Sequence, residues 1–270
     1  MTNGKDLMNN LIDTHCHIHD EEFFDEAAAK LALERAVDLG VKMVICVATT
    51  LEDSRRAIGF TQSNPDHCLS TVGIHPHEAA KLSLQQIDSQ LSDLSSLADS
   101  KSVVGVGECG FDFYYNDRKE LLSKQEQLLR GQIEIAIKHD LPLSFHVREA
   151  FNDFWRVFED YDGLRGVLHS FTDRPEHLER ALNHRLYIGV NGIASFTSHS
   201  WQREMFKSIP LQNIVVETDS PFLTPHPKRG TINTPENVIY ITRFMAELRG
   251  EDLGTIADAT TANAQKLFNL

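Results

Sequence analysis

The run Leu11-Ile12-Asp13-Thr14-His15-Cys16-His17-Ile18-His19 begins as an apolar strand and ends in histidines two residues apart. Residues i and i+2 of a strand point to one face, so His15 and His17 converge on a common point. Two neutral imidazoles, with the carboxylate of Asp13 just upstream, have the character of half a metal site. The same run decides the fold. A doubly wound open sheet carries a glycine-rich phosphate turn after its first strand. Here His-Cys-His stands in that place, which favours a closed barrel.

Outward from this run, strand and helix patterns alternate to the end of the chain. Continuously apolar runs over 41–47, 68–74, 103–106, 141–145, 166–168, 186–190 and 214–217 read as further strands. Such runs are buried on both faces, as in a parallel sheet. Between them lie helical patterns over 25–39, 51–63, 83–97, 119–139, from about 149, 175–183 and 200–208, and two more over 235–249 and 253–268. In the first of these the three-four rhythm picks out Ala28, Leu31, Ala32, Ala36 and Leu39. In 119–139 one face runs from Leu121 to Ile137, interrupted only by Gln125 and Gln132. Eight alternations in 270 residues predict a single (β/α)8 TIM barrel with an extra C-terminal helix, one domain over 1–270.

The apolar share of 41% and charged share of 24% are ordinary for a soluble globular protein. No apolar run approaches the roughly 18 residues that span a bilayer, and the polar start, 1–10, has no signal-peptide core. A cytoplasmic protein with no membrane association is the expectation, with a monomer favoured. Cys16, Cys46, Cys68 and Cys109 form no C-x-x-C pair and fit buried free thiols. A thiolate nucleophile at Cys16 or Cys109 is the lesser reading of the two beside the candidate site. The formal charge of −13 argues against an extended basic face for gripping nucleic acid. A phosphate substrate would need a local patch or metal ions.

Chemistry gathers at the carboxyl ends of the strands. The first strand ends in His15 and His17, the third in His75 and His77, the fourth in Glu108, the fifth in His146, the sixth in His169 and the last in Asp219. In a barrel all these ends meet at one face. His15, His17, Glu108, His146, His169 and Asp219 then surround one pocket with donors enough for two divalent ions.

These motifs resemble the TatD-type metal-dependent DNases of the amidohydrolase superfamily. The resemblance rests on Asp13-Thr14-His15-Cys16-His17, Gly73-Ile74-His75-Pro76 and Gly107-Glu108-Cys109-Gly110-Phe111-Asp112-Phe113-Tyr114-Tyr115, the last similar to the family's G-E-x-G-L-D-Y-Y. It extends to His146-Val147-Arg148-Glu149-Ala150 with Asp153, to His169-Ser170-Phe171, and to Glu217-Thr218-Asp219-Ser220-Pro221-Phe222-Leu223 followed by Arg229-Gly230, Asn233 and Pro235. Phe111 and Phe113 depart from the commoner Leu and Tyr. The resemblance implies that His15, His17 and Asp219 hold one ion, that Glu108 bridges, and that His146 and His169 complete the second. Zinc, manganese or magnesium would suit. The ions would activate a shared water, with Asp219 as general base and Glu108 and Asp219 as the catalytic carboxylates.

His75 would contact the scissile phosphate, and Arg148 and Arg229 are candidates for phosphate recognition. The implied activity is a DNA phosphodiesterase, an exonuclease working on single strands or strand ends. The alternatives are the same metal site hydrolysing an aminoacyl-tRNA ester, an amide or a lactone, and a non-catalytic metal-binding protein. Tyr114 and Tyr115 could stack a base, although rim packing suits them better. His19 and His77 read as outer partners or surface residues. Phe23, Phe24, Phe151, Phe154 and Trp155 read as core and helix packing.

Overall fold

The computed structural model of the chain describes residues 10–114 and 118–270. Eight strands stand side by side in chain order, and every neighbouring pair is parallel. The first half of the chain comprises β1 (Leu11–Cys16), α1 (Glu26–Asp38), β2 (Val41–Cys46), α2 (Leu51–Ser63), β3 (Cys68–Val72), α3 (Leu84–Leu97), β4 (Val103–Asp112) and α4 (Arg118–His139). The second half comprises β5 (Leu143–Arg148), α5 (Phe151–Phe158), β6 (Gly166–Leu168), α6 (Pro175–Asn183), β7 (Tyr187–Val190), α7 (Ile193–Phe196), α8 (Ser200–Ser208), β8 (Ile214–Val216), α9 (Val238–Arg249) and α10 (Leu253–Phe268). This is the expected TIM barrel. The short α7 has no counterpart in the sequence pattern. Among the described residues no helix is long and apolar enough to cross a membrane.

The barrel closes where β1 meets the segment after β8. His17 N–H donates to Ser220 O at 2.7 Å and Asp219 N–H to His15 O at 2.8 Å. Side chains reinforce the seam: Thr14 Oγ1 donates to Val216 O, and Thr218 donates to Asp13 through both its N–H (2.8 Å) and its hydroxyl (2.5 Å). Asp13 is fully buried, and burial pushes its carboxyl up to about 8 against those hydrogen bonds. At the opposite end, Ala264, Leu267 and Phe268 of α10 pack with Ile12, Ile45, Val167 and Val215 to form the barrel floor. Ile12 and His15 are an odd number of residues apart, and the register shift between Asp13 and Cys16 accommodates their sharing the interior.

Two strands run further than their apolar runs suggest. β4 continues through Gly107-Glu108-Cys109-Gly110 to Asp112, and β5 continues to Arg148, so Glu108 and His146 lie inside paired strands rather than beyond them. The glycines extend the strand instead of ending it. Gly107 and Gly110 adopt φ of 123° and 150°, and a Cβ on either would fall about 2 Å from the Ser144 or His146 carbonyl oxygen of β5.

The glutamines that interrupt the α4 face serve the same end of the barrel. Gln132 accepts from Ile74 N–H (2.8 Å) and donates to Ile74 O (3.0 Å), which fixes the chain just before His75. Gln125 accepts from Asp112 N–H and donates to the carbonyls of Asp112 and Pro76. Each buried amide thus satisfies backbone groups that the barrel ladder leaves open. On α1 the buried stripe is Ala29, Ala32, Leu33 and Ala36, while Leu31 and Leu39 are exposed. The 3-10 turn Pro235–Asn237 packs against this helix.

Gly110→Ala is expected to destabilise the protein by more than about 1 kcal/mol, because its Cβ would drive β4 from β5. Urea unfolding measures this, and an unchanged midpoint would show that β5 yields without cost.

Candidate metal centre

The mouth of the barrel is a cavity of about 900 Å³ whose lining includes His17, His75, Glu108, His146, His169 and Asp219. Glu108 is buried at its centre and divides its two carboxylate oxygens between two sets of imidazoles. Oε2 faces His15 Nε2 at 3.5 Å and His17 Nε2 at 3.9 Å. Oε1 faces His146 Nδ1 at 2.6 Å and both His169 Nε2 and His75 Nε2 at 3.6 Å. Asp219 Oδ1 approaches the first set, 3.4 Å from His17 and 3.7 Å from His15, and lies 3.8 Å from His169. The His15 and His169 rings stack with centroids 3.5 Å apart. Asp219 takes φ of 57°, a left-handed conformation that carboxamide and carboxylate residues tolerate and that accompanies the barrel seam.

The outward nitrogen of several rings is fixed by a partner behind it. His17 Nδ1 donates to Val47 O at 2.8 Å, leaving Nε2 as the lone-pair nitrogen when the ring is neutral. His169 Nδ1 lies 2.9 Å from Glu217 Oε1, and the same oxygen accepts from Ser170 N–H. His75 differs: its Nδ1 accepts from His77 N–H, so in the neutral ring Nε2 carries the proton. Burial holds His75 well below the ordinary histidine value, and its Nε2–H faces the cavity as a donor. His146 is held at both nitrogens, by Glu108 and by Asp112 Oδ2 at 2.9 Å. Asp112 also lies 3.0 Å from His77 Nε2.

Burial disfavours every charge here, yet the charges compensate one another. Burial raises Glu108 and Asp219, but the surrounding imidazoles outweigh it: His75, His146 and His15 hold Glu108 well below the usual carboxylate range, and His169, His17 and His15 lower Asp219. Burial likewise works against protonated His17 and His146. Even so, Asp219 brings the first up to about 9, and Asp112 with Glu108 brings the second up to about 9. His15 moves down through burial and the neighbouring His169.

The donor set fits divalent cations. His15 Nε2 is buried with no hydrogen-bond partner while facing two carboxylates, and a cation would satisfy it. Donor atoms of His15, His17 and Glu108 lie within 4.8 Å of one another, as do those of His75, Glu108 and His146, and of His15, His169 and Glu217. In the last group Glu217 is already engaged by His169 Nδ1 and Ser170 N–H, which makes it an orienting carboxylate behind the ring.

The geometry brings His15, His17, His75, Glu108, His146, His169 and Asp219 together. Arg148 joins them on the cavity wall, its guanidinium 3.5 Å above the exposed Tyr114 ring. Arg229 does not: it stacks 3.8 Å over Phe196, donates to Thr224 O and is absent from the cavity wall. Tyr115 lies outside the described residues. Cys16 and Cys109 are buried, and burial pushes both thiols up, which removes them as nucleophiles. Asp112 and Glu217 carry orienting roles that strand-end reasoning missed. The signal for them was the second nitrogen of each histidine, which needs a partner of its own. His19 packs beside Asp53, its Nε2 3.2 Å from the carboxylate.

A family model described as TatD related DNase matches residues 12–269. The chain belongs to the TatD-related DNase family. Among its relatives are the metal-dependent hydrolase YabD of Bacillus subtilis (strain 168), 30% identical over 96% of this chain and 99% of YabD. Another is the 3'-5' ssDNA/RNA exonuclease TatD of Erwinia tasmaniensis, 34% identical over 88% of this chain and 92% of its own. The crystal structure of YjjV, a TatD homologue from Escherichia coli, superposes with a TM-score of 0.87 at 28% identity, covering 98% and 99% of the two chains.

Within this TatD-related fold, a cation must take lone pairs from rings that carry protons. With His17 and His146 at about 9, the metal-free protein is protonated there at pH 7. Binding should therefore release protons, and affinity should climb by up to about tenfold per pH unit for each proton displaced until pH approaches that value. Calorimetric titration of Mn²⁺ or Zn²⁺ in buffers of different ionisation enthalpy reads the proton count. A pH-independent affinity with no proton release would contradict it.

Proposed function

We propose that this protein is a divalent-metal-dependent phosphodiesterase that removes nucleotides from the ends of single-stranded nucleic acid. The observation that carries the reading is the division of Glu108, one oxygen towards His15 and His17 and the other towards His146 and His169. That is the disposition of a carboxylate shared by two cations. His15, His17 and Asp219 would hold one and His146 and His169 the other. The name carried by the Erwinia relative supports single-stranded DNA or RNA as the substrate and attack from the 3' end.

Divalent ions bound there supply Lewis acidity and positive charge beside the scissile phosphate. Asp219, held ionised by its imidazole neighbours, accepts the proton of the attacking water. His75 presents Nε2–H to the phosphoryl oxygen on which charge accumulates. Arg148, braced on Tyr114, offers a planar fork to a neighbouring phosphate at the rim. Arg229 has no part in this arrangement.

Metal-stripped protein supplied singly with Mg²⁺, Mn²⁺ or Zn²⁺ should shorten a 5'-labelled single-stranded oligonucleotide one residue at a time. A 3'-labelled one should release labelled mononucleotide at once. Asp219→Asn should abolish the ladder. His75→Ala should lower kcat by about 10²- to 10³-fold, the scale of a lost oxyanion donor. No cleavage with any ion, in protein shown to bind two, would overturn the reading. Aminoacyl-tRNA and small esters would then be the substrates to assay.

A further inference from the structure

Two phenyl rings meet at the lip of the cavity, and one of them, Phe23, was expected to be core. Phe24 is buried, but Phe23 is 37% exposed and Phe222 is 47% exposed. Their rings meet edge to face with centroids 5.3 Å apart. Phe222 lines the cavity, and its ring centroid lies 6.3 Å from that of His17. The pair is therefore continuous with the proposed metal site.

The backbone holds this surface in place. Phe222 N–H donates to Asp219 O at 2.8 Å, and Asn233 Nδ2 donates to both Thr218 O (2.9 Å) and Phe222 O (2.7 Å). The turn that projects the Asp219 carboxylate thus also fixes the backbone that carries the Phe222 ring. On the other side of the seam, Phe23 N–H donates to Asp20 O at 3.1 Å. A phenyl ring offers neither donor nor acceptor, so its partner is read by its face. An ordered, water-facing phenyl within one ring of a phosphodiester-cleaving centre suits an unstacked nucleobase. Base-aromatic stacking is tolerant of sequence because every base has a π-face.

We infer that Phe222, braced by Phe23, is the stacking platform for the terminal nucleobase of a single-stranded substrate. This rests on the phosphodiesterase reading above. A paired terminal base must leave its partner and its inner stack to enter the site, a cost that frayed or single-stranded ends do not bear, so the platform favours those ends. It makes no contact that distinguishes ribose from deoxyribose, so DNA and RNA ends engage it alike.

The test compares holoenzyme and variants on two oligonucleotides, one ending in a normal nucleotide and one whose last nucleotide is abasic. The wild-type protein is assayed first. If it cleaves neither, the phosphodiesterase reading fails and the platform with it. If it cleaves the normal end, Phe222→Ala should raise KM there roughly tenfold or more, the loss lying in KM rather than kcat. Its KM on the abasic end should match that of the wild type. Phe222→Tyr should restore the normal KM, and Phe23→Ala should show a smaller rise in the same direction. A Phe222→Ala variant with unchanged KM on the normal end would overturn the platform alone. So would equal losses on both oligonucleotides, which would trace the defect to the Asp219 turn, or a fall in kcat with KM intact.

Discussion

A carboxylate can be buried only where other charges or donors compensate it, and Glu108 is buried at the centre of this barrel. Its compensation is a ring of imidazoles, and each imidazole must present the correct nitrogen. That requirement passes outward through the structure. Val47 O orients His17, Glu217 orients His169, and Asp112 faces His146 from behind. Asp112 is in turn pinned by Gln125, and Glu217 by Ser170 N–H. The polar layer ends only where it reaches backbone groups at the ends of strands. Apolar packing holds the floor of the barrel, while a hydrogen-bonded network holds its mouth.

The same division explains what could be read in the chain. Continuous apolar runs and three-four patterns report burial, so the eight alternations and the C-terminal helix were legible from apolar residues alone. The histidines and acids at strand ends were legible because they break that pattern at the same point in successive units. What escaped was set by partners distant in sequence. β4 runs on past Val106 because Gly107 and Gly110 let it approach the carbonyls of β5, and a glycine reads as a stop when that neighbour is unseen. The α1 stripe takes in Ala29 and Leu33 in place of Leu31 and Leu39, on a helix against which a turn two hundred residues later packs. Arg229 carries the right charge, but a nearby phenyl ring and carbonyl claim it, and sequence order does not disclose such local capture.

Phe23 shows the converse error. Adjacent to Phe24, it looks like core, yet it is 37% exposed. Phe24 is buried, and β1's closure against the segment after β8 brings Phe23 to the lip beside Phe222. Barrel closure thus joins residues from the two ends of the chain into one surface next to the carboxylates.

Charge gives that surface its significance. The chain carries −13, and the cavity wall holds Asp20, Glu22, Asp53 and Glu78 besides the central acids, against Arg56, Lys81 and Arg148. A polyanion approaching such a mouth gains little from long-range attraction, since backbone affinity depends on displacing counterions with Lys and Arg. On the proposed reading, attraction for phosphate would come from cations at the centre, which act over a short range under physiological screening. Such a site would hold its substrate by a few close contacts at the reacting end rather than along a charged track. An uncharged aromatic face beside the centre supplies a contact that net charge does not oppose. An acidic barrel and a nucleic-acid substrate are therefore compatible so long as recognition is confined to the terminus.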